Sequence, residues 1–353
     1  KEKNYLNFIK KKYFINFLLI FMSIFLTLMI FEIFLRVFSL ASTSSLTQPV
    51  SKNNPIPHFK PNHQFRNVQG WDAYINISHN TNNFGYNTSI NFNKNEDVNC
   101  VIGDSYVEAL QIDTKNSFHG ILNSKDFKVY PIGISGSSLS DYIAFYKYAS
   151  ENFNCKKYIF IIIENDFEQS LNKIVSHHYF DIEKNGQLDF VPYEPSRKKI
   201  FLRKFALVNY IYKNMNITSI DFFYNKILNY KSNNNQFNNV NLQLNKKAID
   251  YFFIHLELNN IDKKNVLFVI DGDRRAIYEN KLKKINNISK SNKYFIQKSL
   301  INNIKYIDLN KIFISDYKKN KKKFNFNRDY HWNKYAHYIV AEQIINSNFL
   351  VGD

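Results

Sequence analysis

Two kinds of apolar pattern organise this 353-residue chain. The first is one long run. Phe17 to Phe31 is apolar apart from Ser23 and Thr27, and the segment Tyr13 to Phe38 around it exceeds the roughly 20 residues that a helix needs to cross a bilayer. The second is a series of short, β-branched runs: Val98 to Ile102, Lys128 to Ile134, Tyr158 to Ile163, Val266 to Ile270 and Lys305 to Leu309. Runs of this length and type predict strands buried on both faces. Helical stretches fall between and after them, among them Ser138 to Glu151, Leu244 to Leu258 and Asn333 to Ile345. Alternation of this kind predicts an α/β fold with a parallel sheet covered by helices on both sides.

The remaining segments are polar or mixed. Ser39 to Asn62 is rich in Ser, Thr, Asn and Pro, including Asn54-Pro55-Ile56-Pro57, and reads as a linker. Residues 63–95 hold short alternating pieces such as Ala73-Tyr74-Ile75-Asn76-Ile77, a small β prelude. A long insert from about Asn172 to Leu242 separates the third and fourth strands, with an aromatic-rich helical piece, Phe201 to Met215, and the loop Asn233-Asn234-Asn235. Arg197, Lys198, Lys199, Arg203 and Lys204 beside Phe201, Leu202 and Phe205 suit an amphipathic helix on a membrane, but packing on the parent domain is the expected arrangement. The chain therefore divides into a tail and anchor at 1–38, a linker and prelude at 39–95, and an α/β domain at 96–353 with its insert near 172–242.

Charge gives the apolar run a direction. Lys1, Lys3, Lys10, Lys11 and Lys12 precede it and only Arg36 follows closely, so the start of the chain is expected in the cytoplasm and the rest outside it. Glu32 and Arg36 can pair along one helix face. A cleaved signal peptide is the weaker reading, because the run is long and Ser39-Leu40-Ala41-Ser42 is a poor cleavage site. The formal charge of +17 attracts anionic surfaces in general, yet no nucleic-acid motif accompanies it, and most of it reads as solvated lysine. Cys100 and Cys155 lack metal-type spacing. Each sits near the start of a strand, where a free cysteine behaves as a small hydrophobe; pairing stays open in an oxidising compartment.

The chemistry lies at the ends of the strands. Val101-Ile102-Gly103-Asp104-Ser105 runs from a buried strand into a helix, which brings the Ser105 hydroxyl to the rim of the sheet. Asp329-Tyr330-His331-Trp332-Asn333 precedes the last helix and supplies a base together with a carboxylate to orient it. His177, His178, His255 and His337 read as ordinary surface histidines. Gly133-Ile134-Ser135-Gly136 ends the second strand, and Ile163-Glu164-Asn165-Asp166 the third. Gly136 can offer a backbone N–H to an oxyanion, and Asn165 a side-chain amide; taken singly, the former also fits a plain turn and the latter a helix cap.

Together these segments resemble the four blocks of the SGNH, or GDSL-type, hydrolase superfamily: Ser105, Gly136, Asn165, and Asp329 with His331. Asn82-Asn83-Phe84-Gly85-Tyr86 resembles the lead-in of anchored bacterial members, and the likeness runs from about residue 80 to the end. Departures are Ile163 where a glycine is usual, Pro131 near a usual asparagine, closer spacing of Asp329 and His331, and Ala336 for a glycine. The resemblance implies a three-layer α/β/α, flavodoxin-like fold and an acyl-enzyme mechanism without metal or cofactor. Ser105 would be the nucleophile, His331 the base and Asp329 its orienter. The N–H groups of Ser105 and Gly136 and the amide of Asn165 would form the oxyanion hole. No Gly-x-Ser-x-Gly is present, which disfavours an α/β-hydrolase.

Three functions are carried forward. One is an esterase that removes acetyl or another acyl group from a glycan outside a bacterial cytoplasmic (inner) membrane, on its periplasmic side. Another is an O-acyltransferase that modifies an exported polysaccharide with an integral membrane acyltransferase as partner. The third is a silent glycan-binding module, disfavoured because the catalytic side chains are all present. The run Lys318, Lys319, Lys321, Lys322, Lys323 suits an acidic polysaccharide, but a solvated loop is preferred.

Overall fold

In the computed structural model, residues 2–43, 47–215, 241–279 and 287–351 are described; the asparagine-rich loop at 233–235 and the last part of the insert lie outside them. The chain divides into two compact units. The smaller comprises Lys1–Ser44, Phe65–Asn76 and Ser196–Ser232, the larger Ser45–Gln64, Ile77–Pro195 and Asn233–Asp353.

Strands β1 (Gln64–Gln69) and β2 (Ile75–Asn80) form a two-stranded sheet, the expected prelude. The larger unit is built on a five-stranded sheet of β3 (Asp97–Gly103), β4 (Val129–Gly133), β5 (Asn154–Ile162), β8 (Val266–Ile270) and β9 (Lys305–Asp308). The order is β4-β3-β5-β8-β9 and every pairing is parallel. The first crossover goes one way and the rest go the other, so a topological switch lies beside β3, where open α/β sheets place their ligands.

Side-chain alternation explains the layers. Val101, Ile159, Ile161, Leu267 and Val269 join a buried cluster with Phe118, Leu122, Phe313, Val340 and Ile344 from helices Phe118–Ser124, Leu309–Asn320 and Lys334–Asn346. Phe160 and Phe268, pointing the other way, meet Phe252 and Phe295 of helices Leu242–Leu258 and Asn287–Ile301. The fold is therefore a three-layer α/β/α sandwich.

Several segments differ from expectation. Part of the segment read as linker is packed: Val50, Ile56 and Phe59 are buried, and Val50 bridges to Tyr193. Gly85 is held at φ +84, and a Cβ there would lie 2.0 Å from the Phe59 carbonyl, so the lead-in glycine allows two backbones to touch. The insert begins with an antiparallel hairpin, β6 (His178–Asp181) and β7 (Gln187–Phe190), rather than with helix. Cys100 and Cys155 form a disulfide, with Cα atoms 5.6 Å apart. They lie on adjacent strands, and a bulge at Val98/Asn99 slips the register between β3 and β5. Closing this loop stabilises the fold by roughly 4 kcal/mol on chain entropy alone.

In the smaller unit, helix Glu2–Val37 carries the apolar run, and Lys10–Val37 is long and apolar enough to cross a membrane. Glu32 and Arg36 pair at 2.6 Å, as their spacing predicts.

Candidate active site

Strand β3 delivers Asp104 and Ser105 to the carboxyl edge of the sheet. Asp104 caps the short helix Ser105–Glu108 by accepting from the Tyr106 N–H, and Ala109 ends that helix in the left-handed conformation. The Ser105 hydroxyl thus stands at the head of a tight strand–helix turn, half-buried. His331 Nε2 lies 2.8 Å from Ser105 Oγ. On its other side, His331 Nδ1 lies 2.5 Å from Asp329 Oδ1, which also accepts from the His331 backbone N–H at 2.8 Å. Residues 226 positions apart in sequence therefore meet in the order hydroxyl, imidazole, carboxylate. A carboxylate on Nδ1 fixes the tautomer that leaves Nε2 free to accept the hydroxyl proton. Ser105 has a second neighbour, Asp104 Oδ2, at 3.2 Å. Burial pushes that carboxyl up to about 6, against the pull of the Tyr106 N–H.

Burial also pulls the His331 imidazole down, but the hydrogen bond and charge of Asp329 outweigh it and hold the group above its ordinary value. Protonated His331 cannot act as base. For any reaction that uses His331 as base, kcat/KM should accordingly rise with pH along a limb whose midpoint lies above the ordinary 6.5. Asp329→Asn should move that limb to lower pH. A wild-type midpoint at or below 6.5 in a pH–rate profile would contradict this assignment.

Gly136 occupies a turn after β4 with φ +87, where a side chain would be strained. Ser135, beside it, donates to Glu108 Oε2. This bond ties the Gly136 turn to the helix that begins with Ser105. Burial pushes the Glu108 carboxyl up to about 7, opposed by the Ser135 hydrogen bond. Asn165 is placed differently. It is exposed, its backbone is helical at φ −78, and its amide Nδ2 donates to Gln169 Oε1 at 3.0 Å, one helical turn away. The structure thus brings Ser105, Asp329 and His331 into contact and links Gly136 to them through Glu108, whereas the Asn165 amide is engaged elsewhere.

The other histidines are not surface residues. His177, His178 and His337 are buried, and the half-buried His255 donates from Nε2 to the Gly186 carbonyl at 2.8 Å. Burial holds His337 well below its usual range, and its Nδ1 accepts from the Phe118 N–H. His177 and His178 share the buried Asp141, with Nδ1 contacts of 3.1 and 3.2 Å. His177 Nε2 faces Gly136, 3.3 Å from where a Cβ would stand. Burial lowers the His177 pKa, but Asp141 more than offsets this, so the group is raised overall. A second Asp–His pair thus borders the Gly136 turn.

A further arrangement was missed in the sequence. Asp271, just beyond β8, pairs with Arg274 at 2.9 Å, and both side chains are under 10% exposed. Arg274 Nη1 donates to the Tyr330 carbonyl, and Nη2 donates to the Tyr106 hydroxyl at 2.5 Å. The Trp332 Nε1–H donates to Asp271 Oδ1 at 3.1 Å. Both chain neighbours of His331 are therefore held by one buried ion pair. The signal was present as Asp271-Gly272-Asp273-Arg274, a polar cluster at a fourth strand end. Arg274→Lys keeps the charge opposite Asp271 but cannot fork to both oxygens. It should lower kcat by roughly 100-fold through misplacement of His331, with a smaller change in KM and a melting temperature near wild type. Unchanged kcat would show that the fork does not position the base.

The lysine run engages nearby rings: Lys321, Lys322 and Lys323 lie over Tyr317, Tyr335 and Tyr278. Among the described residues, no group of three or more His, Cys, Asp or Glu side chains could hold a metal ion.

No family model matches the chain, and no curated protein matches it. Solved structures similar to it include an acetyl xylan esterase, 14% identical, with a TM-score of 0.39, covering 71% of this chain and 99% of that one. A lipolytic protein of the G-D-S-L family from Veillonella parvula DSM 2008 is 11% identical, with a TM-score of 0.36 and coverage of 71% and 96%. The lipase/acylhydrolase from Enterococcus faecalis is 10% identical, with a TM-score of 0.38 and coverage of 72% and 95%.

Proposed function

We propose that the chain is a membrane-anchored serine ester hydrolase of the SGNH type, acting on an acylated glycan outside the cytoplasmic membrane. The observation that carries this reading is the 2.8 Å contact between Ser105 Oγ and His331 Nε2, backed by Asp329. In the first half-reaction, Ser105 Oγ attacks the ester carbonyl carbon while His331 Nε2 takes its proton. The oxyanion of the tetrahedral intermediate is held by the N–H groups of Ser105 and Gly136. The Asn165 amide joins them once it turns from Gln169. Collapse breaks the C–O bond, and His331 returns the proton to the departing alcohol. Water, deprotonated by His331, then attacks the acyl-serine. As the second tetrahedral intermediate collapses, the bond to Oγ breaks and His331 returns the proton to Ser105, releasing the carboxylic acid, which ionises in solution.

The disulfide supports an extracytoplasmic site, because such bonds persist in oxidising compartments. The helix Lys10–Val37 and the lysines before it support a single-pass anchor with its start in the cytoplasm. A sugar hydroxyl in place of water would turn the same acyl-enzyme into an O-acyltransferase. Full-length protein in detergent, given an aryl acetate with and without candidate polysaccharides, distinguishes the outcomes. Hydrolysis predicts one acetate released per phenol whatever glycan is present. Acetate retained on the glycan would replace the hydrolase reading by transfer, and no phenol release with any acyl donor would remove both.

A further inference from the structure

The insert segment that follows Ser196 belongs to the smaller unit, with the apolar helix, and not to the unit that carries the triad. Sequence reasoning preferred the opposite, and the contacts explain the difference. Glu32, near the end of the apolar run, accepts from the backbone N–H groups of Ala206 and Leu207 at 2.9 and 2.8 Å. Arg36 donates to the Lys204 carbonyl at 2.6 Å. Asn214, buried, binds the chain just beyond the helix through the Leu40 carbonyl and the Ser42 N–H. The segment is thus fastened along the last turns of the apolar helix, with its free backbone groups satisfied by that helix.

What it leaves uncovered is apolar. Ile200, Phe201, Leu202 and Phe205 are 39–57% exposed, and Ile211, Tyr212 and Met215 are also exposed. Arg197, Lys198 and Lys204 stand exposed among them. Trp71, 72% exposed, is joined to the same segment by the Tyr210 hydroxyl, which donates to its carbonyl. Soluble surfaces rarely leave so many large apolar side chains together. Aromatic and long basic residues mixed with apolar ones are the composition of the bilayer interface.

We infer that Arg197–Met215 lies in the headgroup region of the membrane crossed by the N-terminal helix. There it buries Phe201, Leu202 and Phe205 among acyl chains and sets its basic residues against anionic lipid. The inference rests on the anchor reading above. Continuity supplies the occupant: the segment is bonded to the end of the span, where the apolar core of a bilayer gives way to headgroups. Lys10–Val37 covers about 42 Å at 1.5 Å per residue, enough for a core of about 30 Å with an end projecting into the interface.

The test uses the full chain in nanodiscs of phosphatidylcholine with or without phosphatidylglycerol. Phe201→Cys and Phe25→Cys are each labelled with an environment-sensitive fluorophore while the native cysteines stay paired. The inference predicts that, in discs containing phosphatidylglycerol, brominated acyl chains quench both labels and acrylamide reaches neither. It further predicts that Arg197→Gln, Lys198→Gln and Lys204→Gln together raise acrylamide access at position 201 severalfold in phosphatidylglycerol discs only. A label at 25 quenched by lipid, with one at 201 open to acrylamide, overturns the interfacial seat and leaves the anchor standing. Equal access at 201 with and without phosphatidylglycerol and the three substitutions overturns the role of charge. A label at 25 untouched by lipid removes the anchor reading and this inference with it.

Discussion

Ser105→Ala should lower kcat for an aryl acetate by about 10⁶-fold, the scale on which a triad serine acts. The substitution removes only Oγ, which touches His331 at 2.8 Å and Asp104 at 3.2 Å. No apolar packing is lost with it, so the melting temperature should stay near that of the wild type. Residual turnover should remain above the uncatalysed rate, since backbone donors at positions 105 and 136 survive the change. Retention of more than a small fraction of wild-type activity would mean that another group attacks the ester.

His331→Ala should cost about as much, because a serine hydroxyl without a base is a poor nucleophile. The informative comparison is with the double variant. Groups that act as one unit are not additive, so Ser105→Ala with His331→Ala should be no slower than either alone. Asp329→Asn should cost about 10⁴-fold, because the imidazole stays in place but takes the wrong tautomer. Losses that multiplied in the double variant would show that the serine and the histidine serve separate steps, against the 2.8 Å contact between them.

The sheet was legible because two of its strands are buried throughout and β3 and β5 end in apolar runs. Val129–Gly133 and Val266–Ile270 are buried at every position, and a run that apolar has no other stable place in a water-soluble unit. The triad was legible for a related reason: polar residues directly after such strands must emerge at the sheet's carboxyl edge, and the Asp-His loop precedes a capped helix. What could not be read depends on contacts between distant segments. The Cys100–Cys155 bond needs the β3–β5 register, slipped by a bulge that no residue type announces. The cluster Asp271-Gly272-Asp273-Arg274 marks a strand end in the sequence, but its hold on the His331 loop shows only once Tyr106 and Tyr330 surround Arg274. His177 and His178 look like solvent-facing histidines in the sequence, and pairing with the buried Asp141 makes their burial tolerable. Asn165 matches its motif in sequence, yet the i,i+4 partner Gln169 takes its amide. The destination of the Arg197–Met215 segment turned on Glu32, a single acid within the apolar helix.

The most direct test of the whole account is where a covalent probe lands. Full-length protein treated with a fluorophosphonate, digested and read by peptide mass spectrometry should carry one phosphonyl group, on the Ser105 hydroxyl, and none after His331→Ala under the same exposure. A phosphonyl group on any other side chain, or an unmodified Ser105 in the folded wild type, would contradict it.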